Sequence, residues 1–443
     1  MKKVITYGTY DLFHYGHLNL LEKAKELGDY LIVGVTSDSF DKTRGKINVQ
    51  QSLMERIESV KATGLADKII VEEYIGQKID DIKRYDVDIF TVGSDWIGKF
   101  DYLNEFCKVF YLDRTKGVSS SQLRSDMREL HVGLVGRSAS LLKFEKECRF
   151  VNGISVKGIY SDNLNLIPEM LNKLDMVTDS YEKLLEEVDA VYIISHPKNH
   201  YEQIKTALNK GKHVLCETPI TLDDEESKEL FTLAEQKKYV LMESNKTAYS
   251  TAYARLQLLI KSGIIGRVIS VDARCTSLLK DEIQSDDWGS FFAWGPVALL
   301  PVFQLLGTEY DKKFIITQYD KEHNDFDLFT QINFLYESAV ANIKVAKGMK
   351  SESDLVISGT DGYIYVPAPW WKTDYFEVRY ENPQNNKKYF YQLDGEGIRY
   401  EIVSFLKSIN TSKNFSYIDS NISVAITKIM KEFLEKKNVE EIL

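Results

Sequence analysis

Short apolar runs alternate with amphipathic segments along the first 130 residues. The runs VITYG, YLIVGVTS, KIIVEE, IFTVG and KVFYL are typical of buried strands, and LNLLEKAKELG, LMERIESVKATG and QKIDDIKRY have helical periodicity. Apolar strands separated by amphipathic helices predict a parallel sheet with crossover connections. We therefore expect residues 1–130 to form a doubly wound α/β domain.

The alternation starts again at His131 and changes character after residue 250. VGLVG, VKGIY, AVYIIS, HVLCE and YVLMES predict a second Rossmann-like unit over residues 131–250. From about residue 266 strand-like segments follow one another, and two amphipathic helices close the chain. Residues 251–443 are therefore expected to form an α+β domain with a large, mostly antiparallel sheet. The predicted division is three domains: 1–130, 131–250 and 251–443.

Composition narrows the class of protein. The formal charge of -10 over 443 residues argues against nucleic acid or an anionic membrane surface as the main partner. Four scattered cysteines without a CxxC pair are typical of reduced thiols. We find no signal peptide and no apolar run of about 18 residues that could span a membrane. The sequence predicts a cytoplasmic protein.

Two of the seven histidines lie in one tetrapeptide, HYGH, at His14 and His17. Their spacing on a first helical turn places both imidazoles on one face, beside backbone N–H groups without intrahelical partners. Gly8 and Gly16 allow close approach of a ligand to the backbone. This combination favours a phosphate site. Capping histidines, or half of a zinc site, are the alternatives, but further Cys or His at ligand spacing is missing nearby, so no metal centre is expected.

The segments GTYDLFHYGH and RTKGVSSS, the latter beginning at Arg114, resemble the two nucleotide-binding signatures of cytidylyltransferases. The opening of the chain is most similar to the glycerol-3-phosphate cytidylyltransferases. The resemblance covers about the first 130 residues. It implies a nucleotidyltransferase domain that transfers CMP from CTP, with Mg²⁺, to a small polyol phosphate. Gly64 and the pair Ser94 and Asp95 differ from the residues usual in that family, so the identity of the acceptor stays open.

The resemblance assigns roles to individual positions. Catalytic roles fall to His14, His17, Lys46 and Arg114. CTP contacts are implied for these four and for Gly8, Thr9, Tyr10, Asp11, Gly16, Thr115, Gly117, Ser119, Ser120 and Ser121. Arg44 and Lys78 are implied contacts of the acceptor phosphate. By residue type alone, Arg44 and Lys78 would be solvated surface charges.

The segment DAVYIISHPKNHYEQIKTALNKGKHVLCETP, from Asp189 to Pro219, resembles the glucose-fructose oxidoreductase and inositol dehydrogenase family. The resemblance extends over the remainder of the chain and implies NADPH or NADH as cofactor. NADPH is favoured because Ser161 stands where an acid usually binds the ribose. Cofactor contacts are implied for Gly136, Ser138, Ser161, Asp162, His196, Glu217, Pro219 and Lys246.

The residues that carry the chemistry of that family are replaced in this chain. Thr218 stands in the place of the catalytic lysine, and Ala293 and Val297 fall where an aspartate and a histidine are expected. Neither alanine nor valine transfers a proton. The second half is thus a reductase with a relocated acid or base, a ligand-binding module without redox chemistry, or a dimerisation scaffold.

For the first of these interpretations, Lys246, Tyr249 and His196 are the candidate substitutes. His196 and His200 either face the cofactor or cap a helix. We expect the pair Trp370 and Trp371 to serve packing. A homodimer is expected through residues 266–395, because the open face of such a sheet is commonly buried in a dimer.

The fusion of the two halves suggests consecutive reactions. A reductase produces a polyol phosphate from a keto-sugar phosphate, and a cytidylyltransferase consumes it. The product would be a CDP-alditol, a donor for cell-surface polysaccharides such as teichoic acid. The alternative is a monofunctional cytidylyltransferase that carries a catalytically inactive module.

Overall fold

The structure is a computed structural model that describes residues 1–443 with gaps. The residues outside the description are 38–39, 42–48, 50, 75, 114–128, 280–282, 284–287, 324, 392 and 443. The chain divides into two compact units. One contains Met1–Glu129 with Val151–Gly153, and the other contains Leu130–Phe150 with Ile154–Leu443. The further boundary near residue 250 stays a prediction.

The first unit is built on a five-stranded parallel sheet. Its elements are β1 (Lys3–Gly8), α1 (Tyr15–Glu26), β2 (Tyr30–Thr36), α2 (Leu53–Ala62), β3 (Lys68–Glu72), α3 (Gln77–Tyr85), β4 (Ile89–Gly93) and β5 (Lys108–Leu112). The strand order is β3-β2-β1-β4-β5, and each neighbouring pair is parallel. The chain therefore reverses its winding direction between β1 and β4, which confirms the predicted doubly wound fold.

Helices cover this sheet on both sides because neighbouring strand residues point to opposite faces. Val4 belongs to an apolar cluster with Leu21 of α1 and Val60 of α2. The next residue, Ile5, belongs to a second cluster with Ile82 of α3. Burial of both faces explains why the strands are continuous apolar runs rather than alternating ones.

The second unit begins with a six-stranded parallel sheet. Its elements are β6 (Leu130–Gly136), α4 (Ser140–Cys148), β7 (Ile154–Tyr160), β8 (Met176–Thr178), α5 (Tyr181–Glu187), β9 (Ala190–Ile194), α6 (His200–Asn209), β10 (His213–Glu217), α7 (Asp224–Lys237) and β11 (Leu241–Ser244). The order β11-β10-β9-β6-β7-β8 is that of dinucleotide-binding Rossmann sheets. The switch point lies between β6 and β9.

The rest of the second unit contains a nine-stranded sheet. Its elements are α8 (Lys246–Tyr249), α9 (Thr251–Lys261), β12 (Val268–Thr276), α10 (Ser290–Leu306), β13 (Lys312–Tyr319), β14 (Asp327–Leu335), β15 (Val340–Ala346), β16 (Leu355–Gly359), β17 (Tyr363–Val366), β18 (Tyr375–Arg379), β19 (Lys387–Phe390), α11 (Ile398–Thr411), α12 (Ser420–Leu434) and β20 (Val439–Glu441). The order is β19-β18-β17-β16-β12-β15-β14-β13-β20. Only the pairs β12–β15 and β13–β20 are parallel, as the predicted mostly antiparallel sheet requires.

The apolar helix α10 packs against β12, β14 and β15 of this sheet. Its first turn is held by Asp327, whose carboxylate accepts hydrogen bonds from the Phe291 N–H (2.9 Å) and the Thr330 hydroxyl (2.6 Å). Although α10 is apolar, it is too short to cross a bilayer, and among the described residues we find no other helix with that capacity.

Candidate active sites

The first candidate site lies where β1 ends and α1 begins, beside the switch point of the first sheet. His14 is the N-cap of α1, with an extended φ of -136°, and its Nδ1 accepts a hydrogen bond of 3.0 Å from the Gly16 N–H. His17 follows on the first turn. The two imidazole rings are stacked, with centroids 3.9 Å apart and planes inclined by 18°. The structure therefore brings the two predicted histidines together.

The hydrogen bond from Gly16 assigns the proton on His14. Because Nδ1 accepts, the proton of the neutral ring is on Nε2, which becomes a hydrogen-bond donor. Burial lowers the pKa of His14 and so favours this neutral form. The rings of Tyr10 and Phe13 each lie 5.5 Å from that of His17 and restrict its orientation. The arrangement offers directed donors at a helix N-terminus, which suits a phosphate group.

A buried arginine fixes the loop that carries this pair. Arg56 of α2 is fully buried. Its guanidinium donates to the carbonyl oxygens of Thr9 (2.6 Å), Thr36 (2.8 Å) and Gln51 (3.2 Å). It therefore joins the ends of β1 and β2 to the start of α2. The sequence analysis missed Arg56, although a charged residue four positions before the buried Val60, on the apolar side of a predicted helix, was a signal.

The predicted loop residues are tied to the same region. The Thr9 hydroxyl donates to Asp41 Oδ1 at 2.9 Å. Asp11 is buried, and its Oδ1 accepts from the Gln51 N–H at 2.9 Å, while Gln51 Oε1 accepts from the Leu12 N–H at 2.8 Å. Thr9 and Asp11 thus order the turn, and their implied contacts with CTP stay predictions. Asp41 and Gln51 were not anticipated.

Lys78, the predicted acceptor contact, lies on the opposite side of the sheet in the first turn of α3. Its ammonium pairs with Glu72, the buried last residue of β3, and lies 4.6 Å from the centre of the Tyr7 ring. Glu72 also accepts from the Thr36 hydroxyl at 2.8 Å. Only 12 % of the Lys78 side chain is exposed, so it is not a solvated surface charge.

The other predicted residues of the first site lie outside the described part of the chain. They are Arg44, Lys46, Arg114, Thr115, Gly117, Ser119, Ser120 and Ser121. Their roles stay predictions.

The second candidate site is a cleft of about 340 Å³ at the carboxyl edge of the Rossmann sheet. It contains five of the predicted cofactor residues: Gly136, Ser138, Ser161, Asp162 and His196. Gly136 has a φ of 125°, and a Cβ there would lie 2.6 Å from the Ile194 carbonyl oxygen. Glycine is therefore required at this turn by the positive φ and by the close approach of the Ile194 backbone, as at the first glycine of a dinucleotide-binding turn.

The two histidines after β9 have different environments. His196 lines the cleft, accepts from the Lys198 N–H at 3.2 Å and packs on Trp288 with ring centroids 4.6 Å apart. It both faces the cleft and caps the 3-10 helix Pro197–Asn199. Trp288 was not anticipated from sequence. The polar sequence DEIQSDD before it carries no pattern that points to the cleft.

His200 is buried between two carbonyl oxygens. Its Nδ1 lies 2.9 Å from Pro219 O and its Nε2 lies 3.1 Å from Ser195 O. Burial lowers its pKa to about 4. The His200 side chain thus links the loops after β9 and β10 and does not line the cleft, while its backbone N–H caps the end of the 3-10 helix Pro197–Asn199.

Glu217, Pro219 and Lys246 are not among the residues that line the cleft. Glu217 is the last residue of β10 and accepts from the Tyr192 hydroxyl at 2.9 Å, while burial raises the pKa of its carboxyl to about 6. Lys246 begins α8, and its ammonium lies 2.6 Å from a carboxylate oxygen of Glu396. These residues form a second polar region at the carboxyl ends of β10 and β11.

Two further buried carboxyls belong to this polar region. Glu401 accepts from the Ser244 hydroxyl at 2.9 Å, and Glu243 accepts from the hydroxyl of Thr218. Burial raises the pKa of both. The residue that replaces the family's lysine is therefore engaged with a buried acid.

The other positions of interest in this half carry no proton donor open to a ligand. Ala293 and Val297 lie on α10 and are partly exposed. Tyr249 is buried, its hydroxyl lies 3.1 Å from Ser416 Oγ, and burial raises its pKa. Trp370 is fully buried and donates to the Arg274 carbonyl at 3.1 Å. Tyr249 is therefore unsuited to the role of relocated acid or base.

Comparison with known proteins finds a family match in each half of the chain. Residues 5–126 match the family described as Cytidylyltransferase-like. The glycerol-3-phosphate cytidylyltransferase of Bacillus spizizenii is 51% identical over 130 residues, which is 29% of this chain and 100% of that protein. The chain belongs to the cytidylyltransferase family. The corresponding protein of Staphylococcus aureus is 45% identical over 131 residues, 29% of this chain and 96% of its own length.

The second half of this cytidylyltransferase family member matches another family. Residues 130–244 match the oxidoreductase family with an NAD-binding Rossmann fold. Among solved structures, the 3-ketoreductase KijD10 from Actinomadura kijaniata, in complex with NADP and TDP-benzene, has a TM-score of 0.62 and 17% identity. The match covers 71% of this chain and 99% of that chain. At this identity the likeness shows the fold.

Proposed function

We propose that the first unit transfers CMP from CTP, bound with Mg²⁺, to glycerol 3-phosphate or a related alditol phosphate and releases pyrophosphate. The observation that supports this proposal most directly is the stacked pair His14 and His17 at the switch point. That pair lies in a segment similar over its whole length to proteins named glycerol-3-phosphate cytidylyltransferase. Because the relatives share the whole domain, glycerol 3-phosphate is the first acceptor to test.

In this reaction an oxygen of the acceptor phosphate attacks the α-phosphorus of CTP. One P–O bond forms, the bond to the pyrophosphate oxygen breaks, and charge collects on the leaving group. Positioning and electrostatic stabilisation supply most of the rate in such transfers. His14 Nε2–H, His17 and the N-terminus of α1 are suited to donate to the phosphate oxygens.

The test is pyrophosphate release by the full chain with CTP and glycerol 3-phosphate. Replacement of His17 by Ala should lower kcat by about 10²- to 10⁴-fold, the range for loss of a charge-stabilising or proton-transferring group. The matched control is His323→Ala, because His323 is an exposed histidine of the other unit paired with Asp320. A His17→Ala variant that folds and turns over like the wild type would remove His17 from the mechanism.

For the acceptor, we propose that Lys78 and Arg44 bind its phosphate. The buried pair of Lys78 with Glu72 holds an ammonium at the carboxyl edge of the sheet. Replacement of Lys78 by Gln should raise the KM of the acceptor more than that of CTP, since the residue would touch only one substrate. Equal changes in both KM values would contradict the assignment.

For the second unit, we propose reduction of a keto-polyol phosphate to the polyol phosphate that the first unit consumes. The glycine turn at Gly136 is suited to a dinucleotide, and Ser161, which follows β7 and lines the cleft, presents no acid that would repel the 2′-phosphate of NADPH. When bound, NADPH supplies the hydride for the carbonyl carbon, and the carbonyl oxygen takes a proton. Together the two steps would form a CDP-alditol for cell-surface polymers of the teichoic acid type.

The second candidate function is a cytidylyltransferase with a non-catalytic module, and Thr218, Ala293 and Val297 favour it. A shift of NADPH fluorescence on binding, followed by its oxidation with a keto-polyol phosphate, would decide for the reductase. If the chain binds neither NADPH nor NADH, the second unit is the non-catalytic module. We further propose a cytoplasmic homodimer formed through residues 266–395, and sedimentation of the full chain tests the dimer.

A further inference from the structure

One carboxylate in the second unit is surrounded by three lysines. The ammonium of Lys246 lies 2.6 Å from Glu396 Oε2, and that of Lys372 lies 3.2 Å from Oε1. The ammonium of Lys143 lies 3.2 Å from both oxygens. We call these three residues the lysine triad. Three ammoniums gathered at one point repel each other, and an anion between them offsets that repulsion. In this structure the anion is the carboxylate of Glu396.

The triad is assembled from distant parts of the chain. Lys143 lies on α4, the helix that follows the Gly136 turn, Lys246 begins α8, and Lys372 ends the 3-10 helix Trp370–Lys372. Because α4 follows β6 and α8 follows β11, two of the three approach from the carboxyl edge of the Rossmann sheet, where such folds bind ligands. The side chains are 50 %, 30 % and 36 % exposed respectively, so solvent reaches them.

The charges around the triad leave it with an excess of positive charge. Three ammoniums face one carboxylate of Glu396. Glu217 and Glu401 also act on Lys246, but burial raises the pKa of both carboxyls, which weakens them as counter-charges. A single carboxylate therefore balances only part of the charge that the triad presents.

Glu396 reaches this position through an unusual backbone. It has a φ of 54° and lies between Gly395 and Gly397, which have φ values of 59° and 92°. A Cβ at residue 397 would lie 2.2 Å from the carbonyl oxygen of Lys246, so glycine is required there. A left-handed conformation is unfavourable for a glutamate. The chain accepts this cost to place a carboxylate among the lysines.

We propose that the lysine triad is a binding site for the phosphomonoester group of the ligand handled by the second unit, and that Glu396 occupies it until the ligand displaces it. A phosphomonoester carries three acceptor oxygens and a charge of about -1.5 to -2 at pH 7, and it matches three ammoniums better than a carboxylate does. The site would select phosphorylated over unphosphorylated polyols. The identity of the ligand rests on the proposed function of this unit, whereas the phosphate site does not.

The test is the rate of chemical acetylation of each lysine in the full chain, measured by mass spectrometry. Because the readout is local, binding of glycerol 3-phosphate in the first unit does not disturb it. Glycerol 3-phosphate should protect Lys143, Lys246 and Lys372 in a saturable way, and inorganic phosphate should do so more weakly. Glycerol should not protect them. The matched control is Lys388, a lysine paired with Glu377 on the sheet, which should be unaffected.

The second part of the test replaces Glu396, the carboxylate that occupies the triad. Glu396→Gln should lower the glycerol 3-phosphate concentration for half-protection by about tenfold, since the competing charge is gone. The control is Glu377→Gln, which removes a carboxylate shared by Arg379 and Lys388 and should leave the triad unchanged. Protection of the triad in the wild-type chain tests the proposal even if a variant does not fold.

Three results would overturn the inference: equal protection by sulfate and chloride at matched ionic strength, protection by NADPH but not by glycerol 3-phosphate, or an unchanged midpoint in a folded Glu396→Gln variant. Failure of the proposed reductase has a different signature. In that case the triad is protected, but NADPH is not oxidised with any keto-polyol phosphate.

Discussion

At the scale of single residues, the imidazole of His14 performs two tasks that substitution can separate. Its Nδ1 caps α1 by accepting from the Gly16 N–H, and its Nε2–H is the donor that we assign to phosphate. The cap concerns stability and the donor concerns catalysis.

We expect His14→Asn to keep the cap and lose the reaction. Asparagine is among the best N-cap residues, whereas alanine costs about 0.5–2 kcal/mol at that position. The Asn variant should therefore unfold in urea like the wild type and release pyrophosphate far more slowly. The Ala variant should be impaired in both. Normal turnover by His14→Asn would show that only the cap matters.

Other residues show what the sequence could and could not reveal. The HYGH spacing predicted two imidazoles on one face of the first helical turn, and the structure adds that the rings stack. The bonds of Arg56 to Thr9 and Thr36 join residues 47 and 20 positions apart, and Lys246 meets Glu396 across 150 positions. Such partners depend on how strands are ordered in the sheets, which local periodicity does not specify.

At the scale of elements, the periodicity of the sequence identified all five strands of the first parallel sheet, since burial on two faces leaves continuous apolar runs. In the second parallel sheet it identified five of the six strands and missed β8, which is only three residues long. The sequence pattern did not predict which side chain accepts the hydrogen bond from the first turn of α10. The N–H of Phe291 has its acceptor in Asp327, which lies on β14 beyond a full strand. The carboxyl of Asp327 is fully buried, and a Cβ on Gly289 would lie 2.1 Å from its Oδ1.

Asp327 should make the second unit less stable as the pH rises from about 4 to 7. Burial raises its pKa to about 7 in the folded chain, against the opposing bonds from Thr330 and Phe291, and the ordinary value is 3.8. Over that interval the folded state holds a proton that the unfolded state has released, so a rise in pH favours unfolding. Above pH 7 the contribution is constant.

The measurement is urea unfolding from pH 4.5 to 8 for the wild type and for Asp327→Asn. The variant should have a flatter profile, with the remaining slope due in part to Glu217, whose pKa burial raises to about 6. Asp320→Asn is the control for removal of an exposed carboxylate, because the His323 side chain lowers the pKa of Asp320 and the titration of that carboxyl falls below this range. An unchanged slope in Asp327→Asn would contradict the buried proton.

At the scale of the whole molecule, the chain contains two parallel sheets, each with polar side chains at its carboxyl edge. One edge carries the histidine pair, and the other carries the Gly136 cleft and the lysine triad. Each unit has its own core and its own switch point. The two activities should therefore respond to substitution independently, and the product of the second unit should serve the first.

We expect single substitutions to stop the combined reaction at different points. In a mixture of CTP, NADPH and a keto-polyol phosphate, the wild type should form a CDP-alditol. His17→Ala should oxidise NADPH and accumulate the alditol phosphate. Gly136→Ala should leave NADPH unchanged, because the added Cβ would lie 2.6 Å from the Ile194 carbonyl oxygen and force the glycine turn to shift, yet it should still transfer CMP to added glycerol 3-phosphate.

Gly263→Ala is the control for backbone strain. Gly263 has a φ of 81° but open space around its Cβ position, so the variant should lose about 1 kcal/mol of stability and retain cofactor binding. A mixture of His17→Ala and Gly136→Ala should form the product again, because the alditol phosphate diffuses from one chain to the other. If the wild type never oxidises NADPH while Gly136→Ala and wild type transfer CMP equally, the second unit is a non-catalytic module. Separate arrest points and rescue by mixing would instead demonstrate two consecutive active sites on one chain.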